Sequence, residues 1–276
     1  MKILNTFFFV LLFYFNLYSQ ILISPYIVYT DEKNKVNNFI VQNESNDNYE
    51  VSVSFTFGYP VSDSSGQIVM KYFDNDSSQT YSINDYIRAF PKKFILPPKK
   101  RQVIRLTVKA PDTLSAGTYW TRIVTSAVPF TEQVDTTHSG ITARIKFVLN
   151  QVTTCLYRVG DAESGVKILD YKLTPDSNMT ILTVNLERIG NSPFIGNFIL
   201  KVQDEKGNVI KELKEYIPLY FNLMKKIQID HIDLEKGKKY FLNITAVNTE
   251  KEDIPESNLK IIQVPNEKIP FEISKK

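Results

Sequence analysis

The residues from Ile141 to Arg158 read ITARIKFVLNQVTTCLYR and form the most regular pattern in the sequence. In its first half, apolar side chains occupy every second position, at Ile141, Ala143, Ile145, Phe147 and Leu149. An alternation with a period of two predicts a β-strand that has one apolar face. No glycine or proline interrupts the stretch, so we expect one strand of eighteen residues, whereas about 5–6 residues is usual. We expect this strand to end a first domain and to lead into a second one.

The composition favours an all-β protein with packed cores. The chain has 276 residues, of which 43% are hydrophobic, and this length suits one or two domains of about 100–200 residues each. It contains 15 Tyr and 18 Phe, and Gly and Pro recur regularly along it. The 33 basic and 30 acidic residues are interspersed, whereas a nucleic-acid-binding surface shows clustered basic residues. We therefore expect no nucleic-acid partner.

The first twenty residues have the pattern of a secretory signal peptide. Lys2 supplies a positive start, Phe7 to Phe15 form an apolar segment, and Ser19 is a small residue suited to cleavage. A membrane-spanning helix needs about twenty apolar residues, and Asn5 and Asn16 make this segment shorter than that. We expect a cleaved signal at residues 1–20 and an exported mature chain without a membrane span.

The residues between the signal and the opening stretch predict a first β-sandwich, over residues 21–158. The segment ILISPYIVYTD reads as a strand, with Pro25 at an edge or bend. Strands are also expected at Gln102–Lys109 and Thr118–Ser126, among others, and turn signals separate them about every ten residues. Short alternating strands with regular turns are typical of a β-sandwich.

A polar segment, Val159–Gly165, predicts the linker between the domains. Strand patterns then recur from Val166 onwards, with turns such as Asp204–Asn208 between them. We expect a second all-β domain over residues 166–265 and a polar tail over residues 266–276. No helix is expected beyond the signal.

The residues that commonly carry chemistry do not form a catalytic or metal-binding pattern. His138 and His231 lie far apart without Cys or His at metal-ligand spacing, and no nucleophile or phosphate-binding motif occurs. Asp74, Asp76 and Asp85 lack the spacing of a calcium loop. The single cysteine, Cys155, is interpreted as a buried small apolar residue. We expect no cofactor, no metal and no enzyme activity, and therefore a function exerted through surfaces.

Several segments together resemble the PapD-like family of periplasmic pilus chaperones. They are SPYIVYTDEKNKVNNFIVQNES, AFPKKFILPPKKRQVIRLTV, LSAGTYWTRIVTSAVP and CLYRVGD in the first half, and LTVNLERIGNSPFIGNFILKVQDEKG and LEKGKKYFLNITA in the second. Their order and spacing carry the resemblance over most of the mature chain. It implies two immunoglobulin-like β-sandwiches, a periplasmic location, and a pilin-like exported β-rich subunit as partner, with an outer-membrane usher as a further candidate partner.

The family mechanism is donor-strand complementation, in which the chaperone lends a strand to a subunit that lacks one. Main-chain hydrogen bonds supply affinity and alternating side chains fill pockets in the client. Aligning CLYR to the family places Ile145, Phe147 and Leu149 at the donor positions, and Ile141 and Ala143 continue the same row. These residues are equally well explained as the inner face of an ordinary sandwich strand.

The resemblance has two departures and one further match. The family holds the client's terminal carboxylate with an Arg and a Lys, whose places are taken here by Tyr26 and Thr154. Arg144 and Lys146 are candidate carboxylate contacts, in a different register. Arg158 matches a family arginine at the domain junction, and a surface charge in a linker is its other interpretation.

A different class of function is also compatible with these patterns. Tandem immunoglobulin-like modules serve as structural or adhesive parts of envelope complexes, at the cell surface or outside the cell. Purification of the protein with a bound partner distinguishes the two functions, and Ile145→Asp or Phe147→Asp should abolish the complex without loss of folding only if the protein is a chaperone. If these substitutions unfold the first domain, the alternating strand is part of its own core.

Overall fold

The computed structural model describes residues 21–73, 80–130, 147–249 and 258–273. Every regular element in these ranges is a β-strand, and the strands form two β-sandwiches. The all-β prediction with two sandwiches is confirmed. The predicted signal peptide lies outside the described residues.

The first sandwich is made of ten strands. They are β1 (Ile21–Ser24), β2 (Ile27–Asp31), β3 (Val36–Asn43), β4 (Tyr49–Ser62), β5 (Ile68–Phe73), β6 (Ile87–Phe90), β7 (Lys93–Leu96), β8 (Arg101–Val108), β9 (Gly117–Pro129) and β10 (Leu149–Val159). One sheet has the order β1-β3-β8-β6. The other has the order β2-β10-β9-β4-β5, and β7 also pairs with β4.

The first core forms because alternate residues of both sheets turn inwards. Ile104, Leu106 and Val108 of β8 are buried, while the residues between them are more exposed. Val51 and Val53 of β4 face them from the other sheet, in the same buried cluster. A period of two on each strand therefore produces one apolar layer between the sheets.

The first strand of the chain is divided between the two sheets. Residues Ile21–Ser24 pair with β3, whereas Ile27–Asp31 pair with β10 in the opposite sheet. The crossing occurs at Pro25, which has no backbone N–H to contribute to either ladder. The segment predicted as one strand is therefore two strands that close opposite sheets.

The second sandwich is made of eight strands. They are β11 (Ala162–Pro175), β12 (Met179–Gly190), β13 (Phe194–Gln203), β14 (Val209–Leu219), β15 (Asn222–Asp230), β16 (Lys239–Asn248), β17 (Leu259–Gln263) and β18 (Glu267–Glu272). Their sheets have the orders β15-β12-β11-β17 and β14-β13-β16-β18. Alternate residues such as Leu182, Val184 and Leu186 of β12 are fully buried in its core.

Three boundary predictions are corrected by the structure. Among the described residues, the predicted strand Ile141–Arg158 is a strand over Leu149–Val159, and Phe147 and Val148 precede it. Residues 141–146 lie outside the described residues. The predicted linker Val159–Gly165 shrinks to residues 160–161, because Ser164 and Gly165 already pair with β12 and β17. The small and polar residues of Val159–Gly165 were interpreted as a loop, although most of them belong to strands.

The predicted polar tail at residues 266–276 is wrong over Glu267–Glu272, which pairs with β16. Ile269, Phe271 and Ile273 are buried in the second core, so this segment also alternates. Pro270 and the flanking charges hid the alternation, although a proline is tolerated on an edge strand such as this one.

An aromatic cluster joins the two sandwiches. The Trp120 ring of β9 stacks on the Phe57 ring, with 5.5 Å between their centroids. It also packs edge-on against Tyr220 of the second sandwich, with 4.8 Å between the centroids. Arg188 of β12 lies over the Tyr81 ring at 5.3 Å and donates to its hydroxyl group. Aromatic pairs contribute about 0.5–1.5 kcal/mol each beyond the area that they bury. These contacts hold the second sandwich against the outer face of the sheet that contains β10.

Candidate functional site

The candidate site is the edge of β10 near its first residues. On one side, β10 pairs with β9 over its whole length, from Leu149 to Val159. On the other side, β2 pairs with it only from Thr154 to Arg158. Within the described ranges, residues Leu149–Thr153 therefore have no strand on that second side. An unpaired strand edge is a template for another chain.

The crossing at Pro25 explains why this edge is open. Before Pro25, the chain belongs to the other sheet, so it cannot continue along β10 beyond Thr154. Instead, the Gln151 side chain donates from Nε2 to the Ile21 carbonyl at 2.7 Å. The first strand thus closes the sandwich, and no other strand among the described residues pairs with Leu149–Thr153 on this side.

The direction of the backbone groups follows from a single hydrogen bond. The Thr154 N–H donates to the Tyr26 carbonyl at 3.0 Å, so Thr154 directs its backbone groups towards β2. Successive residues of a strand direct these groups to opposite sides. Asn150 and Val152 therefore present their N–H and C=O groups to the open edge, and Thr153 and Gln151 present theirs to β9.

The described members of the donor row, Phe147 and Leu149, continue the inner face of β10 but lie beyond the part of the sandwich that would cover them. Cys155, Tyr157 and Val159 are in the first core, and the same alternation assigns Leu149 to their face. Leu149 is nevertheless 37% exposed, and Phe147, just before the strand, is 76% exposed. The interpretation of these two residues as ordinary core therefore does not hold. Val152, on the other face, is 40% exposed.

The remaining predicted binding residues cannot be placed. Ile141, Ala143 and Ile145 of the donor row and the candidate carboxylate contacts Arg144 and Lys146 lie outside the described residues. Their roles stay predictions. Phe147 and Leu149 are the members of the row that the structure describes.

A buried arginine lies at the point where the open edge ends. Arg122 of β9 is directly opposite Thr154 and is 4% exposed. Its guanidinium donates from Nε to the Gly58 carbonyl at 2.9 Å and from Nη1 to the Thr154 hydroxyl. The Tyr220 ring covers it, with the guanidinium carbon 4.9 Å from the ring centroid. In the part of the chain that the structure describes, Nη2 is buried without a hydrogen-bond partner.

Arg122 was missed by sequence reasoning. One signal in the sequence could have identified it, namely that Arg122 is a charged residue within the apolar strand TYWTRIVTSAV. Arginine is rarely buried unless another group pairs with it, so an arginine in such a strand indicates a specific contact. In the sequence, the two positions at which the PapD-like family has a cation to bind the client carboxylate are occupied by the uncharged Tyr26 and Thr154. The structure brings these two residues together and sets the Arg122 guanidinium against Thr154 from the neighbouring strand.

Arg158 lies at the junction of the sandwiches and is not a surface charge. It is 5% exposed, and its guanidinium carbon is 5.7 Å from the centroid of the Tyr29 ring. It is opposite Thr118, whose hydroxyl group is 2.6 Å from that of Ser192 in the second sandwich. The interpretation of Arg158 as an exposed linker residue is therefore wrong.

The outer edge of β2 is a less suitable place for an added strand. It borders a surface cavity of about 880 Å³ that also touches Arg158 and Asn258. The Asn37 side chain, however, donates from Nδ2 to the Tyr29 carbonyl at 2.7 Å and so occupies one acceptor of this edge. The Asp31 N–H is similarly used by the Asn34 carbonyl at 3.3 Å.

The groups that commonly carry chemistry are placed unfavourably for it. Cys155 is fully buried, as predicted, and its burial raises the pKa of the thiol to about 12. His231 follows β15 and its Nε2 lies 2.9 Å from the Thr180 hydroxyl. Burial lowers the pKa of this imidazole. His138 lies outside the described residues.

Neither a metal centre nor a membrane-spanning helix was found in the described ranges. No group of three or more His, Cys, Asp or Glu side chains in them is arranged to hold a metal ion. No helix in these ranges is both long and apolar enough to cross a bilayer.

Comparisons with known proteins give matches in solved structures. No protein-family model matches the chain, and no characterised protein sequence matches it either. A complex of CsuC and the tip subunit CsuE, from the archaic chaperone–usher Csu pili of Acinetobacter baumannii, matches with 11% identity and a TM-score of 0.46. This match covers 91% of this chain and 98% of the other.

Two further solved structures match over similar lengths. The YadV chaperone has 12% identity and a TM-score of 0.45, over 84% of this chain and 94% of its own. The SafB chaperone of Salmonella enterica, in complex with the SafA pilin, has 12% identity and a TM-score of 0.41, over 83% and 91%. Each of the three structures contains a chaperone. Similarity of this size does not by itself assign a function.

Proposed function

We propose that the protein is an exported chaperone, periplasmic in location, that binds a β-rich, pilin-like subunit by lending it the open edge of β10. The observation that carries this proposal is the stretch Leu149–Thr153, which is uncharged, contains no proline and pairs with no described strand on one side. It continues into an exposed apolar residue, Phe147. The protein would act by binding and not by catalysis.

The geometry suits strand addition. Asn150 and Val152 present backbone donors and acceptors to the open side, so a client strand would add a ladder there. Phe147 and Leu149 project from the inner face beyond the sandwich, where they would enter an apolar groove of the client. Ile141, Ala143 and Ile145 would extend the same row. Burying a side chain of the size of Leu or Phe stabilises a complex by about 1.5–3 kcal/mol.

The end of the open edge would limit the position of the client strand. From Thr154 onwards the edge is taken by β2, so an added strand must stop there. If the added strand runs parallel to β10, its carboxyl end meets Thr154 and Arg122. A carboxylate would satisfy the unpaired Nη2 and neutralise a buried charge. Because Nη2 is buried, this contact would require the side chains around Arg122 to rearrange.

Arg144 and Lys146 remain alternative contacts for the carboxylate, and an outer-membrane usher remains a candidate partner. In this proposal, Arg158 holds the angle between the sandwiches, because it is buried in β10 two residues before the chain leaves the strand at Gly160. The alternative, a structural or adhesive envelope module, would use the same fold without a client.

The test is to isolate the mature chain from the cells that export it, together with any bound subunit. We expect a one-to-one complex with a small β-rich exported protein. The double substitution Phe147→Asp and Leu149→Asp should release this subunit, because two carboxylates would be buried in an apolar groove.

The matched control is Phe90→Asp, which changes an equally exposed aromatic residue on another strand, β6. It should leave the complex intact. Thermal unfolding of both variants should resemble that of the unchanged chain, since the altered side chains are exposed. Retention of the subunit by the double variant, or unfolding of its first sandwich, would contradict the proposal and favour the envelope module.

A further inference from the structure

A second open edge lies on β11, in the second sandwich. β11 runs from Ala162 to Pro175 and pairs with β12 along most of this length. On its other side, β17 pairs with it only from Ala162 to Gly165. Among the residues that the structure describes, Val166–Pro175 therefore have no strand on that side.

Apolar side chains of this edge are exposed although they belong to the inner face. Tyr171 is opposite Val184 and Leu173 is opposite Leu182, and both of these β12 residues are buried in the second core. Residues directly opposite in a sheet share a face. Tyr171 is still 46% exposed, and Leu169, at an irregularity between Ile168 and Asp170, is 48% exposed. The described residues thus cover the second core incompletely along β11.

The outer face of the same edge carries charges of both signs. Asp170 and Lys172 alternate with the apolar residues and are exposed. The Asp170 carboxylate accepts a hydrogen bond from Asn185 Nδ2 at 2.7 Å, which holds it on this face. A negative and a positive charge therefore stand two positions apart, on either side of Tyr171.

We propose that this edge pairs with the β11 edge of a second copy of the chain, antiparallel about a two-fold axis at Tyr171. Asp170 then lies opposite the partner's Lys172, and Lys172 lies opposite the partner's Asp170. Leu169 lies opposite the partner's Leu173, and the two Tyr171 rings meet on the apolar face. Opposite charges and apolar pairs placed directly across a ladder stabilise it.

The charge pattern selects this register over its neighbours. One alternative is to slide the two β11 strands past each other so that their apolar faces still lie on the same side, which moves the two-fold axis by one residue along the strand. An axis at Asp170 sets the two aspartates opposite each other, and an axis at Lys172 does the same to the two lysines. Like charges directly opposite are destabilising. A shift that moves the axis by half a residue places apolar side chains opposite charged ones.

The inference goes beyond the proposed function and does not depend on it. The experiment is sedimentation equilibrium of the mature chain over a range of concentrations. We expect a concentration-dependent dimer. Asp170→Lys and Lys172→Asp should each weaken it by at least about tenfold, because attraction becomes repulsion at two symmetric positions.

The most specific test of the register is to mix the Asp170→Lys variant with the Lys172→Asp variant. In a mixed dimer, every 170–172 pair has opposite charges again, so the mixture should dimerise while each variant alone does not. The double variant should recover the dimer in the same way. Phe147→Asp, on the other edge, should leave dimerisation unchanged.

Three outcomes would overturn the inference. They are a monomer at all concentrations, single variants that dimerise as the unchanged chain does, and a mixture that stays monomeric although both variants show the thermal unfolding of the unchanged chain. If Asp170→Lys fails to fold, Asp170→Asn and Lys172→Asp must both weaken the dimer, and any other result counts against the inference.

Discussion

The open edges of β10 and β11 are alike in geometry and different in chemistry. Each is a strand that its neighbour covers only in part, and each exposes apolar side chains of an inner face. The open stretch of β10 is uncharged and regular. That of β11 contains Lys167, Asp170 and Lys172, an irregular pairing and a terminal proline.

We infer from this contrast that charge governs which partner each open edge accepts. Lysines, bulges and prolines are the features with which natural proteins discourage unspecific pairing. The β11 edge would therefore accept only a strand that matches its charges, as a second copy does. The β10 edge has no such filter, and its selectivity must come from the pockets that receive Phe147 and Leu149.

The largest expected effect comes from blocking the backbone of the β10 edge. Val152→Pro removes an N–H that points to the open side and leaves the ladder with β9 intact, because Val152 does not direct its backbone groups to β9. We expect at least about a hundredfold loss of affinity for the isolated subunit, measured by calorimetry.

The control for this substitution is Val152→Thr, which keeps the N–H and should bind nearly as the unchanged chain does. Unaltered affinity of the Val152→Pro variant, with a normal circular dichroism spectrum, would show that the subunit does not pair with this side of β10.

The second prediction tests whether a charge on β10 discourages pairing, as the charges of β11 are proposed to do. Leu149→Lys places a charge in the donor row, and its burial in an apolar groove is unfavourable. We expect the affinity for the subunit to fall by about tenfold or more. Leu149→Met, which preserves apolar volume, is the control. Equal affinities of the two variants would remove Leu149 from the binding surface.

A smaller effect concerns the free chain and needs no client. The amide of Val152 should exchange with solvent faster than that of Thr154, because the Thr154 N–H is bonded to the Tyr26 carbonyl and that of Val152 faces the open side. Hydrogen exchange followed by NMR measures both amides in one sample. Addition of the subunit should slow exchange at Val152, and equal rates in the free chain would mean that the edge is covered.

The smallest effect is expected from removing the filter of β11. Asp170→Thr combined with Lys172→Thr removes the charge match with a second copy and leaves an uncharged open edge, so the amount of aggregates larger than a dimer, measured by light scattering at high protein concentration, should increase modestly. The control is Lys201→Thr with Glu212→Thr, which removes an ion pair, with 3.4 Å between Nζ and Oε2, from strands that are paired with each other. Equal scattering by the two double variants would mean that the charges of β11 do not protect it.

The alternation of residues was sufficient to predict the strands and the class of the fold. Ile104, Leu106 and Val108 of β8 show why, since their period of two is the same in the sequence and in the core. The tail at Glu267–Glu272 was missed because Pro270 and nearby charges obscured the same period. The linker was misjudged because small polar residues are compatible both with a loop and with a strand beside another backbone.

The candidate site was only partly predictable. The donor row was visible as a pattern, but a pattern does not distinguish a core face from one that projects beyond the sandwich. Arg122 could not be found, because its importance arises from Thr154, on the next strand, and Tyr220, in the other sandwich. Sequence separation hides contacts of this kind.

Three properties could be read from the sequence: the protein is all-β, it has two sandwiches, and apolar residues alternate over Ile141–Leu149. These properties are local, because each depends on neighbouring residues along one strand. That no described strand covers the edge at Leu149–Thr153 is a property of the folded chain, since it depends on the chain leaving β10 for the opposite sheet at Pro25. The tertiary structure likewise decided where Arg122 is buried. Which edge is covered, and which charge is buried, depends on segments that meet only when the chain folds.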